Sequence, residues 1–174
     1  KIIVHASNFR KVKRVEDVVK TFLSIQKTLP SKLLMLGDGP ERPEIESMTR
    51  NCAYNAEIKF LGKQEQMEDI LPIADLFLLT SEYESFGLSA LEAMAAEVPV
   101  ISTNAGGLPE IIKNGYCGYM SNIGDTEDMA RNAIKILENE EVYSRFKQNA
   151  LEQAKRFSIE NIVPQYEALY KTLV

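Results

Sequence analysis

Asp75-Leu76-Phe77-Leu78-Leu79-Thr80 leads straight into Ser81-Glu82-Tyr83-Glu84-Ser85-Phe86-Gly87-Leu88-Ser89-Ala90-Leu91-Glu92. The first six residues are a short, nearly unbroken apolar run, the pattern of a strand buried on both faces of a parallel sheet. A polar loop follows, and from about Phe86 the apolar residues Leu88, Leu91, Met94 and Ala95 recur at helical spacing. Gly87 therefore falls where backbone amides are free and the helix dipole is positive, a place that suits a phosphate. Glu84 in the loop and Glu92, about two turns into the helix, are placed to accept hydrogen bonds from two groups of sugar hydroxyls. Either glutamate alone has a plainer reading, as a complement to the dipole or a solvated helical carboxylate. Together they suit a phosphorylated sugar.

Outward from that junction, strand-like segments at Ile2 to Ala6, Lys32 to Leu36, Ile58 to Leu61, Asp75 to Thr80, Pro99 to Ser102 and Gly118 to Met120 alternate with helical patterns. The alternation predicts an α/β fold: a doubly wound, Rossmann-like parallel sheet of six strands with helices on both faces. The first helix is expected from Val15 to Thr28, burying Val15, Val18, Val19, Phe22, Leu23 and Ile25, with Pro30 just beyond it. Others are expected near Glu41, Glu65, Gly87 and Pro109. Thr126 to Glu138, Glu141 to Arg156 and Ile159 to Leu173 read as three successive helices, giving a helical carboxy-terminal end.

With 174 residues, 45% of them hydrophobic, the chain fits a single domain over 1–174. Its net charge of −5, from 20 basic and 25 acidic residues, argues against nucleic acid and for a small ligand. No apolar run reaches the roughly 18 residues of a transmembrane segment. Cys52 and Cys117 stand far apart and His5 is the only histidine, so neither a zinc site nor a disulfide framework is indicated, and a reducing cytoplasm is the expected location. His5 is expected to be a packed or hydrogen-bonded residue rather than a catalytic base. The opening Lys1-Ile2-Ile3-Val4 already reads as a buried strand without an initiator methionine, which suggests an excised domain.

In an open sheet of this type, ligands bind beyond the carboxyl ends of the strands. After the first strand, Ser7-Asn8-Phe9-Arg10-Lys11-Val12-Lys13-Arg14 carries four cations able to neutralise a diphosphate, or simply forms a solvated basic turn. Gly37-Asp38-Gly39-Pro40 lacks the third glycine of a dinucleotide fingerprint, since Arg42 stands three residues after Gly39; this weakens a dehydrogenase reading. Lys59-Phe60-Leu61-Gly62 ends the third strand. In Thr103-Asn104-Ala105-Gly106-Gly107-Leu108-Pro109-Glu110, the paired glycines allow a sharp turn before a helix.

The run from Glu84 to Glu92 resembles the signature of the family 4 retaining glycosyltransferases, in which two glutamates separated by seven residues mark the donor-sugar half of a two-domain enzyme. The resemblance extends over nearly the whole chain. It implies one half of a GT-B architecture, with an acceptor held by an amino-terminal half outside this sequence and catalysis in the cleft between them. Lys13 takes the role of the family's diphosphate lysine. The family's arginine position falls on Asn8 without a gap, and Arg10 is the arginine that would take over its contact. The implied catalytic set is Glu84, Lys13 and Arg10, and the implied donor-binding set is Glu92, Phe86, Gly87, Leu88, Lys59 and Gly37. No metal or other cofactor is implied, the UDP-sugar being a substrate. Within the family the segments after the first three strands look most like the subgroup that makes N-acetylglucosaminyl malate at the start of bacillithiol synthesis. That implies UDP-N-acetylglucosamine as donor and L-malate as acceptor. An apolar face left for the missing half is also a route to homo-oligomers.

Paired carboxylates also occur in glycoside hydrolases, but there they flank the scissile bond. Glutamates in one loop and the following helix lie on one side of a ligand, beside cations suited to a phosphate leaving group, which favours transfer. Two further alternatives are a sugar-nucleotide epimerase half, for which no matching acid/base set is found, and a nucleotide-binding module without catalysis.

Overall fold

The computed structural model describes residues 1–173. Six parallel strands, β1 (Ile2–Ser7), β2 (Lys32–Gly37), β3 (Ile58–Gly62), β4 (Leu76–Leu79), β5 (Val100–Thr103) and β6 (Gly118–Ser121), form one sheet in the order β3-β2-β1-β4-β5-β6. The helices are α1 (Val15–Gln26), α2 (Arg42–Arg50), α3 (Met67–Ile70), α4 (Leu88–Ala95), α5 (Leu108–Ile111), α6 (Thr126–Leu137), α7 (Glu140–Lys155) and α8 (Ile159–Lys171). The doubly wound sheet expected from the sequence is present, and its strand order reverses between β1 and β4.

The apolar run of β4 is explained by two cores. Successive side chains on a strand point to opposite faces. Leu76 and Leu78 accordingly join Ile3, Leu33, Met35 and Ile101 beneath α1, α2, α6 and the start of α7. Phe77 and Leu79 join Val4, Leu36 and Val100 beneath α4, α5 and the end of α7. All four β4 residues are fully buried. On α1 the predicted apolar stripe is buried except for partly exposed Leu23, and Asp17 and Thr21 are buried with it.

Two expected helices are single turns. α3 stops where Pro72, which has no amide hydrogen to donate, enters a tight 3-10 turn over Leu71–Ile73. α5 likewise spans only four residues before the chain turns through Lys113 to Cys117 into β6. α1 ends two residues before Thr28, and α8 continues through Pro164 with none of its side chains buried. At the end of β3 the register slips, Met35 opposing Phe60 and Leu36 opposing Gly62, so Leu61 bulges out exposed.

Asp75 fastens the entry to β4. Its carboxylate accepts from the Ile2 amide at 2.7 Å, the Tyr143 hydroxyl at 3.0 Å and Lys1 Nζ at 3.3 Å. Partial burial pushes its pKa up, but these donors outweigh that and hold the carboxyl below its usual range. A depressed pKa in the folded state gives stability that is present above the unfolded carboxylate pKa and is lost as pH falls through the folded value. Asp75→Asn is therefore expected to cost about 1–2 kcal/mol at pH 7, with a smaller difference from the parent below about pH 4. Urea unfolding at a series of pH values checks this, and a pH-independent difference would refute the assignment.

Candidate functional site

The reversal of strand order between β1 and β4 opens a crevice at the carboxyl edge of the sheet, the usual ligand position in such folds. A cleft of about 480 Å³ lies there. The exits of β1 and β2 supply Ser7, Asn8, Gly37 and Asp38, the segment after β3 supplies Lys63 and Gln64, and α4 supplies Ser89 and Glu92.

Lys13, after β1, and Glu84, after β4, meet across the strand-order reversal, though neither lines this cleft. Lys13 Nζ donates to Glu84 Oε2 at 2.6 Å, with both side chains more than four-fifths buried. The Ser81 hydroxyl donates to the same carboxylate oxygen at 3.1 Å. The pair is held by ties between its two loops. Lys13 closes a 3-10 turn, Lys11–Lys13, whose Val12 carbonyl accepts from the Glu82 amide at 2.7 Å. The Thr80 hydroxyl lies 2.9 and 3.0 Å from the Lys13 and Arg14 carbonyls, and the Thr103 hydroxyl donates to the Ser81 carbonyl at 2.6 Å.

The glycine loop after β5 supports Glu84 from below. The Gly107 amide donates to the Glu84 carbonyl at 2.8 Å. Gly106, at φ +57°, presses its Cα against that same carbonyl with no room for a side chain. Gly87, at φ +96°, caps α4 without a side-chain hydrogen bond; a Cβ there would stand 2.6 Å from a Leu108 methyl. The first amides of α4 have no partner inside the helix, so they remain available to an anion.

The candidate residues divide as follows. Lys13 and Glu84 are in direct contact, and Glu92 and Gly37 line the cleft. Arg10 is exposed and absent from the cleft lining, whereas Asn8, in the ungapped position, does line it. The reason is local: Arg10 precedes the 3-10 turn and contributes its carbonyl to the Lys13 amide. Arg14 is turned away too, its Nε donating to buried Asp17 at 2.6 Å. Lys59 is exposed and does not line the cleft; Lys63, beyond the bulge, does. Phe86 packs edge-on against Phe157 at 5.8 Å, and with exposed Leu88 it borders an apolar groove beneath α8 rather than the main cleft.

Sequence reasoning missed Thr80, Ser81 and Thr103, whose signal is a hydroxyl residue at or just past the end of an apolar strand. His5 is fully buried, as expected of a packed residue, and both ring nitrogens are hydrogen-bonded. Among the described residues, no group of three or more His, Cys, Asp or Glu side chains is placed to hold a metal ion. No helix among them is long and apolar enough to cross a membrane.

Residues 1–153 match the family model described as glycosyl transferases group 1. The chain is 47% identical over 171 residues to N-acetyl-alpha-D-glucosaminyl L-malate synthase of Bacillus anthracis, a match covering 98% of this chain and 45% of that protein. It is 32% identical over 160 residues to 2-deoxystreptamine N-acetyl-D-glucosaminyltransferase of Niallia circulans, covering 87% and 41% respectively. Among solved structures, S. aureus TarM in complex with fondaparinux, alpha-GlcNAc-glycerol and UDP superposes with a TM-score of 0.89 at 25% identity, over 98% of this chain and 35% of TarM. Sucrose-phosphate synthase of Thermosynechococcus elongatus gives 0.87 at 27% identity, over 99% of this chain and 45% of the synthase. The chain thus spans less than half the length of these relatives.

Proposed function

The chain belongs to the group 1 glycosyl transferases, and from that premise we propose that it is the donor-binding half of a retaining, UDP-sugar-dependent hexosyltransferase. The domain over residues 1–174 binds the nucleotide sugar, and an amino-terminal half outside this sequence holds the acceptor. The observation that carries this reading is the Lys13–Glu84 pair. It sets a cation and a carboxylate side by side at the strand-order reversal, where the exits of β1 and α4 also line a cleft with Ser7, Asn8 and Glu92.

In the proposed reaction, the bond between the sugar's anomeric carbon and the diphosphate breaks, one to the acceptor hydroxyl oxygen forms, and that hydroxyl's proton passes to the departing diphosphate. Lys13 and the first amides of α4 stabilise the charge growing on the departing diphosphate, which is the kind of preorganised electrostatic effect that dominates many catalysed steps. Glu84 orients the transferred sugar through its hydroxyls. Glu92 holds the ribose. None of these roles requires a metal, because the side chain and the amides supply the positive charge. The donor is UDP-N-acetylglucosamine and the acceptor L-malate, as in bacillithiol synthesis, a reading supported by the 47% identity to the Bacillus anthracis synthase. The proposed setting is the cytoplasm.

Calorimetric titration of UDP and UDP-N-acetylglucosamine tests the donor assignment, with a nicotinamide dinucleotide as control. Glu92→Ala is expected to weaken UDP binding by about 10–100-fold, the equivalent of hydrogen bonds to a charged group. Dinucleotide uptake without UDP binding would overturn the proposed donor assignment.

A further inference from the structure

His5 has no part in the proposed chemistry, yet its surroundings leave it only one arrangement of protons. Nδ1 lies 2.9 Å from the Leu78 carbonyl oxygen, which can only accept, so Nδ1 carries the proton. Burial lowers the ring's pKa to about 4, against a smaller opposing effect from that carbonyl, so the imidazole is neutral at physiological pH. Nε2 therefore offers a bare lone pair, and the Ser7 hydroxyl 2.9 Å away must donate to it.

The direction of that bond fixes what Ser7 can offer elsewhere. Its only proton points inward at His5. One acceptor site takes the Phe9 amide at 3.3 Å, where the chain passes through φ +37°. One acceptor site remains. Ser7 lines the same cleft as Asn8, Gly37 and Glu92. A phosphate oxygen next to this hydroxyl would meet a second acceptor, whereas a ligand hydroxyl would find a partner.

We propose that His5 is a positioning residue that locks the Ser7 hydroxyl with its proton turned inward, so that Ser7 Oγ accepts a hydrogen bond from a hydroxyl of the bound nucleotide sugar. The inference rests on the donor-domain reading and adds a specificity contact to it. Leu78 lies on β4, so the ring also ties the two sides of the strand-order reversal to the ligand-facing hydroxyl.

The test uses the full-length protein, with UDP and UDP-N-acetylglucosamine titrated into Ser7→Ala, His5→Asn, His5→Gln and the double variant His5→Asn/Ser7→Ala. Ser7→Ala is expected to weaken UDP-N-acetylglucosamine about fivefold, one neutral hydrogen bond's worth. Weakening of both ligands would put the hydroxyl on the ribose, and weakening of the sugar nucleotide alone would put it on the sugar; either supports the proposal. His5→Asn retains a donor for Leu78 but is too short to reach Ser7, and should match Ser7→Ala. The double variant should be no weaker than either single variant, because both remove the same contact. His5→Gln, long enough to accept from Ser7, should bind more tightly than His5→Asn. Ser7→Ala with parental affinity, or losses that add fully in the double variant, would overturn the proposal while leaving the donor-domain reading intact. If His5→Asn does not fold, Ser7→Ala alone decides. Failure of the parent protein to bind either ligand would remove the donor-domain reading, and this proposal with it.

Discussion

Lys13→Ala is expected to lower kcat/KM for transfer from UDP-N-acetylglucosamine by about 10²–10³-fold, the effect of removing one preorganised donor from a site of developing negative charge. The same change leaves Glu84, whose side chain is only 14% exposed, with the Ser81 hydroxyl as its remaining side-chain partner. Part of the loss could then come from a disturbed loop rather than from missing transition-state charge. The double variant Lys13→Met/Glu84→Gln separates the two. It leaves no uncompensated charge and should recover most of the thermal stability lost in Lys13→Ala, because an unpaired buried charge costs more than an absent pair. It should not recover transfer. Activity of the full-length protein and melting temperature of each variant are the measurements. Parental kcat/KM in Lys13→Ala would end the case for a diphosphate at this lysine.

Gly106→Ala should be a severely damaging single-methyl change at the candidate site. The left-handed backbone at φ +57° costs a non-glycine residue about 1 kcal/mol, and the added carbon would collide with the Glu84 carbonyl, a backbone atom that cannot swing aside. A total of about 3 kcal/mol is expected, which lowers the melting temperature of a domain this size by roughly 6–12 °C. Relief of the clash must push the Glu84 loop away from β5, so UDP-sugar affinity should fall together with stability. An unchanged melting temperature would show that the loop gives way without cost. Gly107 is no substitute for its neighbour, since its amide already holds the Glu84 carbonyl.

The architecture was legible because hydrophobic period and turn chemistry agree along most of the chain. Strands such as β4 and β1 are apolar on both faces, as parallel strands between two helical layers must be. Glu92 and Gly37 line the cleft, and Lys13 and Glu84 meet each other, because these residues lie in segments that follow strands at recognisable intervals. Arg10 does not line the cleft, because the 3-10 turn at Lys11–Lys13, which leaves no sequence period, sets where its side chain goes, and Lys59, whose expected contact is through backbone, has an exposed side chain. Phe86 and Leu88 flank Gly87 in sequence, and in the fold their side chains border the groove under α8. The clamps from Thr80 and Thr103 were invisible for a simpler reason. A hydroxyl that bonds a carbonyl some twenty or sixty-seven positions away leaves no local trace.

The order of the strands also determines what survives if the polypeptide is cut. Severing the chain between β3 and β4 separates two runs of three neighbouring strands, β3-β2-β1 and β4-β5-β6, which meet at the seam where Ile3 faces Leu76, with α1 packed on α6 and the Lys13–Glu84 and Thr80–Lys13 bonds across it. Lys13 stays with the first run, while Glu84 and Glu92 go with the second. That seam closes the longest stretch of chain of any strand pairing in the sheet, and so carries the largest loop-closure entropy among them. Neither fragment keeps both members of the ion pair, and ligand occupancy therefore reports on the reunited sheet, not on either half alone.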